Sequence, residues 1–171
     1  MEIRFNCAFG IIFAIYLQRL NQVIKLQLSM IGEYALRAML YICSKPFGTG
    51  YQISEIAEKN DIPDNFLRKI IPLLKKANLL NSQRGNGGGI SLQKNALDIT
   101  PLDIINAVEG PILLNKCLIH DRFCSRDDYC SFHTLWADAQ QQLKDKLASR
   151  NLFELAVQNN ENYLRVKHTR L

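Results

Sequence analysis

Several common functional signatures are missing from this chain, and each absence removes a class of protein. Its most apolar stretch, FNCAFGIIFAIYL, falls short of the ~20 residues needed to cross a bilayer. The QRLNQVIKLQLS that follows is a poor match to the small-residue cleavage site of an export signal. No G-K-S/T follows the single glycine-rich loop, which argues against a nucleotide phosphate loop. The paired C-x2-C knuckles of a structural zinc ribbon are lacking, with Cys130 and His133 as the one short pair. Cysteines number five, an odd count without an export signal, which argues against a disulfide-stapled scaffold. At 171 residues and 47% hydrophobic, the chain can bury one good core but leaves no room for a large enzyme.

What is present is a dense group of soft-metal ligands. Cys117, Cys124, Cys130 and His133 fall within KCLIHDRFCSRDDYCSFH, with the spacing C-x6-C-x5-C-x2-H. Three thiols in a polar, charged stretch are hard to explain as packing, and thiolate is the ligand preferred by both zinc and iron-sulfur clusters. The remaining cysteines look unrelated. Cys43 ends an apolar helical stripe and reads as a core residue, and Cys7 lies in the leader.

The net charge is +5, and its placement matters more than its size. Between Asp64 and Arg84 the positives are Arg68, Lys69, Lys75, Lys76 and Arg84 against Asp64 alone, a local balance of +4. Such a patch suits a polyanionic partner.

Ser29 is the expected N-cap of a first helix, IGEYALRAMLYICS, with Ile31, Tyr34, Ala35, Ala38, Met39 and Ile42 inward and Glu33 and Arg37 outward. A second short helix, ISEIAEKN, follows, and Asp61-Ile62-Pro63 makes a turn. The third helix is expected from Asp64 to about Ala77, capped by Asp64 and bent near Pro72, since an interior proline costs ~3 kcal/mol. Two strands, LLNSQ and ISLQK, flank the tip RGNGGG. Two short helices, the second basic, followed by a glycine-tipped hairpin make a winged helix-turn-helix. The DNA-binding residues of this helix would be Asp64 at its start, Asn65, which suits adenine, and Arg68, which suits guanine. Lys69, Lys75 and Lys76 would contact phosphate or stay in solvent. Arg84 at the wing base suits a minor groove, and the backbone of Gly85, Asn86, Gly87 and Gly88 can approach phosphates closely.

With these motifs in hand, the chain resembles the Rrf2 family of bacterial transcription regulators, which includes iron-sulfur sensors. LSMIGEYALRAMLYI is similar to the family's opening helix, IPDNFLRKIIPLLKKANLL to its recognition helix, SQRGNGGGISL to its wing and ITPLDIINAVEGPI to the helix that follows. The resemblance runs from Leu28 to Ala156. It implies a mainly α-helical winged-helix fold with a small β-hairpin wing and a long C-terminal dimerisation helix. It also implies DNA binding controlled by an iron-sulfur cluster, 2Fe-2S or 4Fe-4S, in a cytoplasmic regulator that is usually a repressor. By the same resemblance Cys117, Cys124 and Cys130 fall on the three cluster cysteines. The fourth ligand is His133 or, alternatively, Glu33 donated from the opposite subunit. Arg68 and Lys69 depart from the acidic and amide pair more usual on the recognition helix.

The segment FHTLWADAQQQLKDKLA carries Leu135, Trp136, Ala139, Leu143 and Leu147 at helical spacing, a stripe with no partner left in so small a domain. A second copy is the expected cover, giving a homodimer on a pseudo-palindromic double-stranded operator with half-sites ~34 Å apart. The expected organisation is a leader at 1–25, either a misassigned start or disordered; a winged helix-turn-helix at 26–100; a linking helix and cluster loop at 101–131; a dimerisation region at 132–157; and a flexible tail at 158–171. No membrane partner and no enzymatic activity are expected. Two alternatives remain: a DNA-binding regulator whose cysteines act as a bare thiol switch, and a small iron-sulfur electron carrier.

Overall fold

The computed structural model describes residues 27–83, 89–120 and 123–169. The 1–25 leader lies outside them. The described residues form α1 (Met30–Cys43), α2 (Ile53–Lys59), α3 (Asp64–Lys76), β1 (Leu80–Gln83), β2 (Gly89–Leu92), α4 (Pro101–Glu109), α5 (Ser131–Ala148) and α6 (Leu152–Thr169). This is the mainly helical fold with one small hairpin that the sequence implies.

Local signals start the helices. The Ser29 hydroxyl accepts from the N–H groups of Ile31 and Gly32 at 3.2 and 3.3 Å, satisfying donors that a helix start otherwise leaves unpaired. Thr100 and Asp103 form a reciprocal capping box with Pro101 as the first helical residue, which fixes the entry to α4. Along α1, Ala35, Ala38, Met39 and Ile42 line the buried face. Leu67, Ile70, Ile71 and Leu74 of α3 and Ile104 and Ile105 of α4 are buried too. Phe66 is only partly buried, edge-on to Tyr34 with ring centroids 5.2 Å apart.

Pro72 sits inside α3 without ending it. It lies on the exposed face, one turn after the exposed Arg68, whose carbonyl loses its helical donor to the proline. The helix ends at Lys76, and the chain turns away through Asn78, which takes a left-handed φ of 57°, a conformation asparagine tolerates better than most residues.

The hairpin pairs Leu80 with Leu92 and Gln83 with Gly89, so the strands are 80–83 and 89–92 rather than 79–83 and 90–94. Tyr51 adds an isolated bridge to Ile90, exchanging N–H···O bonds of 2.9 and 2.8 Å. That contact explains the residue beside Ile90. A Cβ on Gly89 would lie 2.5 Å from the Tyr51 carbonyl oxygen, so only glycine lets the two backbones meet.

The C-terminal third differs from expectation in one respect. Helix α6 runs unbroken from Leu152 to Thr169, so residues 158–169, expected to form a flexible tail, are helical. Its anchor is Leu152, 1% exposed in the core, whose N–H donates to the Ile99 carbonyl at 2.7 Å. By contrast, α5 buries none of its residues.

Candidate functional site

Two regions carry the candidate residues. The first is the outer face of α3, where Asn65, Arg68, Lys69, Pro72 and Lys76 are exposed at i, i+3, i+4, i+7 and i+11, opposite the buried leucines and isoleucines. The spacing puts one amide and three cations on a single stripe at the protein surface.

Asp64 does not cap this helix. Pro63 occupies the capping position without a side-chain bond, and the Asp64 carboxylate instead accepts from Arg68 Nε at 2.7 Å. Both side chains are exposed, so the pair contributes only ~0.3–0.5 kcal/mol, less than the ~1–3 kcal/mol of a bidentate guanine contact. Arg68 is therefore held ready rather than locked away. Lys75 bonds to the Ser82 hydroxyl and so ties the end of α3 to the first wing strand. The wing-tip residues Arg84, Gly85, Asn86, Gly87 and Gly88 lie outside the described residues.

The second region is the loop from Gly110 to Cys130 together with the start of α5. Its thiols Cys117, Cys124 and Cys130 are free and partly buried. Cys130 stands at the N-cap of α5 and His133 in its first turn, where the His133 N–H donates to the Cys130 carbonyl at 2.9 Å. The positive end of a helix favours anionic ligands there. The first half of the loop is tied to α5 by the Leu114 N–H, which donates to Gln140 Oε1 at 3.0 Å.

Asp127 escaped sequence reading, although it stands three residues after Cys124 and three before Cys130. One carboxylate oxygen accepts from the Cys124 N–H at 3.4 Å, and the other lies 3.3 Å from His133 Nδ1. That second contact is close but misaligned, and Asp127 Oδ1 and His133 Nδ1 are both buried without a hydrogen bond. We treat it as juxtaposition rather than as a formed bond.

The donor set fits a soft metal group: three free thiols on the loop and an imidazole in the helical turn that follows it. Among the described residues no three His, Cys, Asp or Glu side chains converge on a common point, so the loop presents its donors without closing around a metal. Glu33, the alternative ligand, is exposed on α1 and pairs with Arg37. Cys43 is a core thiol that burial pushes up, away from the reactive range.

A further link joins the start of the cysteine loop to the first helix. The Ser29 N–H donates to Glu109 Oε1 at 2.9 Å, seating the last residue of α4 on the N-terminus of α1. Residue 110, where the cysteine loop begins, follows immediately.

Comparisons with known proteins find relatives along most of the chain. A family model described as "Iron-dependent Transcriptional regulator", Rrf2, matches residues 28–158. The HTH-type transcriptional regulator IscR of Pectobacterium atrosepticum is 33% identical over 141 residues, covering 82% of this chain and 84% of the relative. Among solved structures, T. potens IscR superposes with a TM-score of 0.65 at 26% identity, covering 81% of this chain and 92% of that one. CymR of B. subtilis, described as a global cysteine regulator, gives 0.62 at 31% identity, covering 77% and 97%.

Proposed function

Because this chain belongs to the Rrf2 family of transcriptional regulators, and is therefore a helix-turn-helix DNA-binding protein and not an enzyme, we propose that an iron-sulfur cluster sets its affinity for DNA. The observation that carries this reading is the loop of three free thiols, Cys117, Cys124 and Cys130, with His133 in the first turn of α5. Cys117, Cys124, Cys130 and His133 would hold the cluster, with Glu33 from a second subunit as the alternative fourth ligand. When bound, such a cluster supplies sensitivity to oxidants, nitric oxide or iron supply.

The chain's own residues do the rest. Asn65 and Arg68 address base edges, while Lys69 and Lys76 grip phosphate. Arg84 and the backbone of Gly85, Asn86, Gly87 and Gly88 follow the adjoining groove. Helix α5 pairs with a second copy: Phe132 and Leu135 are 71% and 59% exposed, and an apolar face of this kind needs a cover. The homodimer would place two α3 helices on a pseudo-palindromic operator in the cytoplasm. No helix among the described residues is long and apolar enough to cross a membrane.

One observation favours a second reading, a thiol switch without a metal. The three loop thiols are free and do not converge, and a solved relative is described as a cysteine regulator. Anaerobic purification separates the two. Visible absorption that bleaches in air, with operator affinity changing as it bleaches, supports the cluster. Colourless, iron-free protein that binds its operator normally until the thiols are oxidised supports the switch. Native mass spectrometry of His133→Ala and Glu33→Ala then identifies the fourth ligand by which variant loses the cluster.

A further inference from the structure

We propose that Asp127 is the positioning residue of the cysteine loop, holding the Cys124 backbone with one carboxylate oxygen and the His133 ring with the other, so that Nε2 of His133 is the nitrogen left for metal. This inference rests on the cluster reading above. Its geometric basis is independent of that reading.

Asp127 reaches both halves of the ligand set. Its Oδ2 accepts from the Cys124 N–H at 3.4 Å, and its Oδ1 stands 3.3 Å from His133 Nδ1. The Asp127 side chain is only 12% exposed and that of His133 28%, so water does not readily replace either contact. Oδ1 and Nδ1 are both buried and have no hydrogen-bond partner. A carboxylate oxygen and a ring nitrogen left side by side in that state are costly unless a hydrogen lies between them. A modest rotation of the imidazole, with Nδ1 as donor, turns the juxtaposition into a charge-assisted bond. The other ring nitrogen is then a lone-pair donor facing away from Asp127. A carboxylate that orients a ligating histidine through its second nitrogen is a general device for fixing tautomer and ring direction at metal sites. The 3-10 turn Asp127–Tyr129 directly precedes Cys130, so the same residue also sets where the third thiol enters α5.

Asp128 is the internal control, an adjacent carboxylate of the same charge that is exposed. The test uses the full chain, wild type against Asp127→Ala, Asp127→Asn and Asp128→Asn, with two readouts. In metal-free protein, imidazole nitrogen NMR reports which nitrogen of His133 carries the hydrogen; the chain has three histidines, and His133→Ala assigns the signal. In anaerobically purified protein, the retention time of cluster absorbance after exposure to air and the nitrogen hyperfine coupling of the reduced cluster report the ligand directly.

Wild type and Asp128→Asn should carry the hydrogen on Nδ1, and Asp127→Ala should shift it to Nε2. Cluster retention should fall about 10- to 100-fold in Asp127→Ala and not in Asp128→Asn. Asp127→Asn, which keeps one acceptor, should fall between them. An unchanged tautomer in Asp127→Ala, or equal cluster loss in Asp128→Asn, overturns the proposal. A wild type that carries no iron overturns the cluster reading instead, and the NMR readout still decides whether Asp127 orients His133.

Discussion

Replacing Gly32 with alanine would put a methyl carbon 2.1 Å from Glu109 Oε1 and 3.0 Å from its Cδ. Both atoms belong to the free end of a flexible side chain, so the carboxylate swings away rather than the helices parting. What is lost is the bond from the Ser29 N–H to Glu109, 2.9 Å long and exposed. A charge-assisted cap of this kind at a helix start contributes ~1 kcal/mol. Against that loss, alanine in place of glycine within a helix gains up to ~1 kcal/mol. The two terms nearly cancel, so Gly32→Ala should change stability by less than ~0.5 kcal/mol. The diagnosis comes from the second background. Glu109→Ala removes the cap and should cost ~1 kcal/mol. Once the carboxylate is gone, Gly32→Ala meets no obstacle and should stabilise by the full propensity gain. The double-mutant cycle should therefore show a coupling of ~1 kcal/mol, a difference of ~2–4 °C in Tm for a domain of this size. Urea and thermal unfolding of the four proteins measure it. If Gly32→Ala stabilises equally in both backgrounds, Glu109 is not seated on α1, and the link between the cysteine loop and the first helix fails.

Other expectations follow from the same geometry. Lys69→Ala should weaken binding to all DNA sequences alike and reduce the slope of log affinity against log salt by about 1, measured by fluorescence anisotropy across a salt series. In folded, metal-free protein a thiol alkylating reagent should label Cys117, Cys124 and Cys130 and spare the buried Cys43, as read by peptide mass mapping. Burial, with nearby Tyr41 adding to it, pushes the Tyr51 phenol up to about 12, whereas an unfolded tyrosine ionises near ~10. Stability should thus hold below pH ~10 and fall as pH rises from there toward 12, and Tyr51→Phe should lessen that fall in alkaline urea melts. Ser44 lies near this hydroxyl, but no hydrogen bond to it forms, so the same substitution should be neutral or stabilising at pH 7 by up to ~1 kcal/mol.

Signals confined to a few neighbouring residues were readable from the sequence. The Ser29 cap, the 3.6-residue periodicity of α1 and α3, and the two β-type runs are each local signals, and the described residues contain the capped helix, α3 and the paired strands. What could not be read depends on residues distant in the chain or on competition between neighbours. The Ser29 bond to Glu109 spans 80 positions. Asp64 looked like a cap, but Pro63 took that place, and Arg68 one turn later claimed the carboxylate. Lys75 looked like a solvent or phosphate lysine until the hairpin brought Ser82 to it. Helix α6 was hidden because QNNENY has weak helical propensity, and its start depends on Leu152 entering a core built by other elements. At the candidate site the ligand types were evident from spacing alone. Asp127 was not, because acidic residues in a charged loop usually face solvent.

The two ends of the cysteine loop differ in how firmly they are held, and that difference constrains how a signal could travel. On the α4 side the chain is fixed by buried Ile104 and Ile105, by the capping box and by the clamp of Glu109 on α1. On the α5 side no residue is fully buried, and the Leu114 bond to Gln140 is made to a partly exposed helix. A change in the loop therefore does less work by tilting α5 than by disturbing the packed reading head. On the proposed reading α5 is also the surface between two copies, so such a tilt alters the separation of two α3 helices while each remains intact. Regulation by ~1–3 kcal/mol needs no more than this, because half-sites one turn of DNA apart tolerate little mismatch. The corollary is that the isolated affinity of one α3 helix for one half-site should be the same with and without the signal, and only the affinity for the paired site should change.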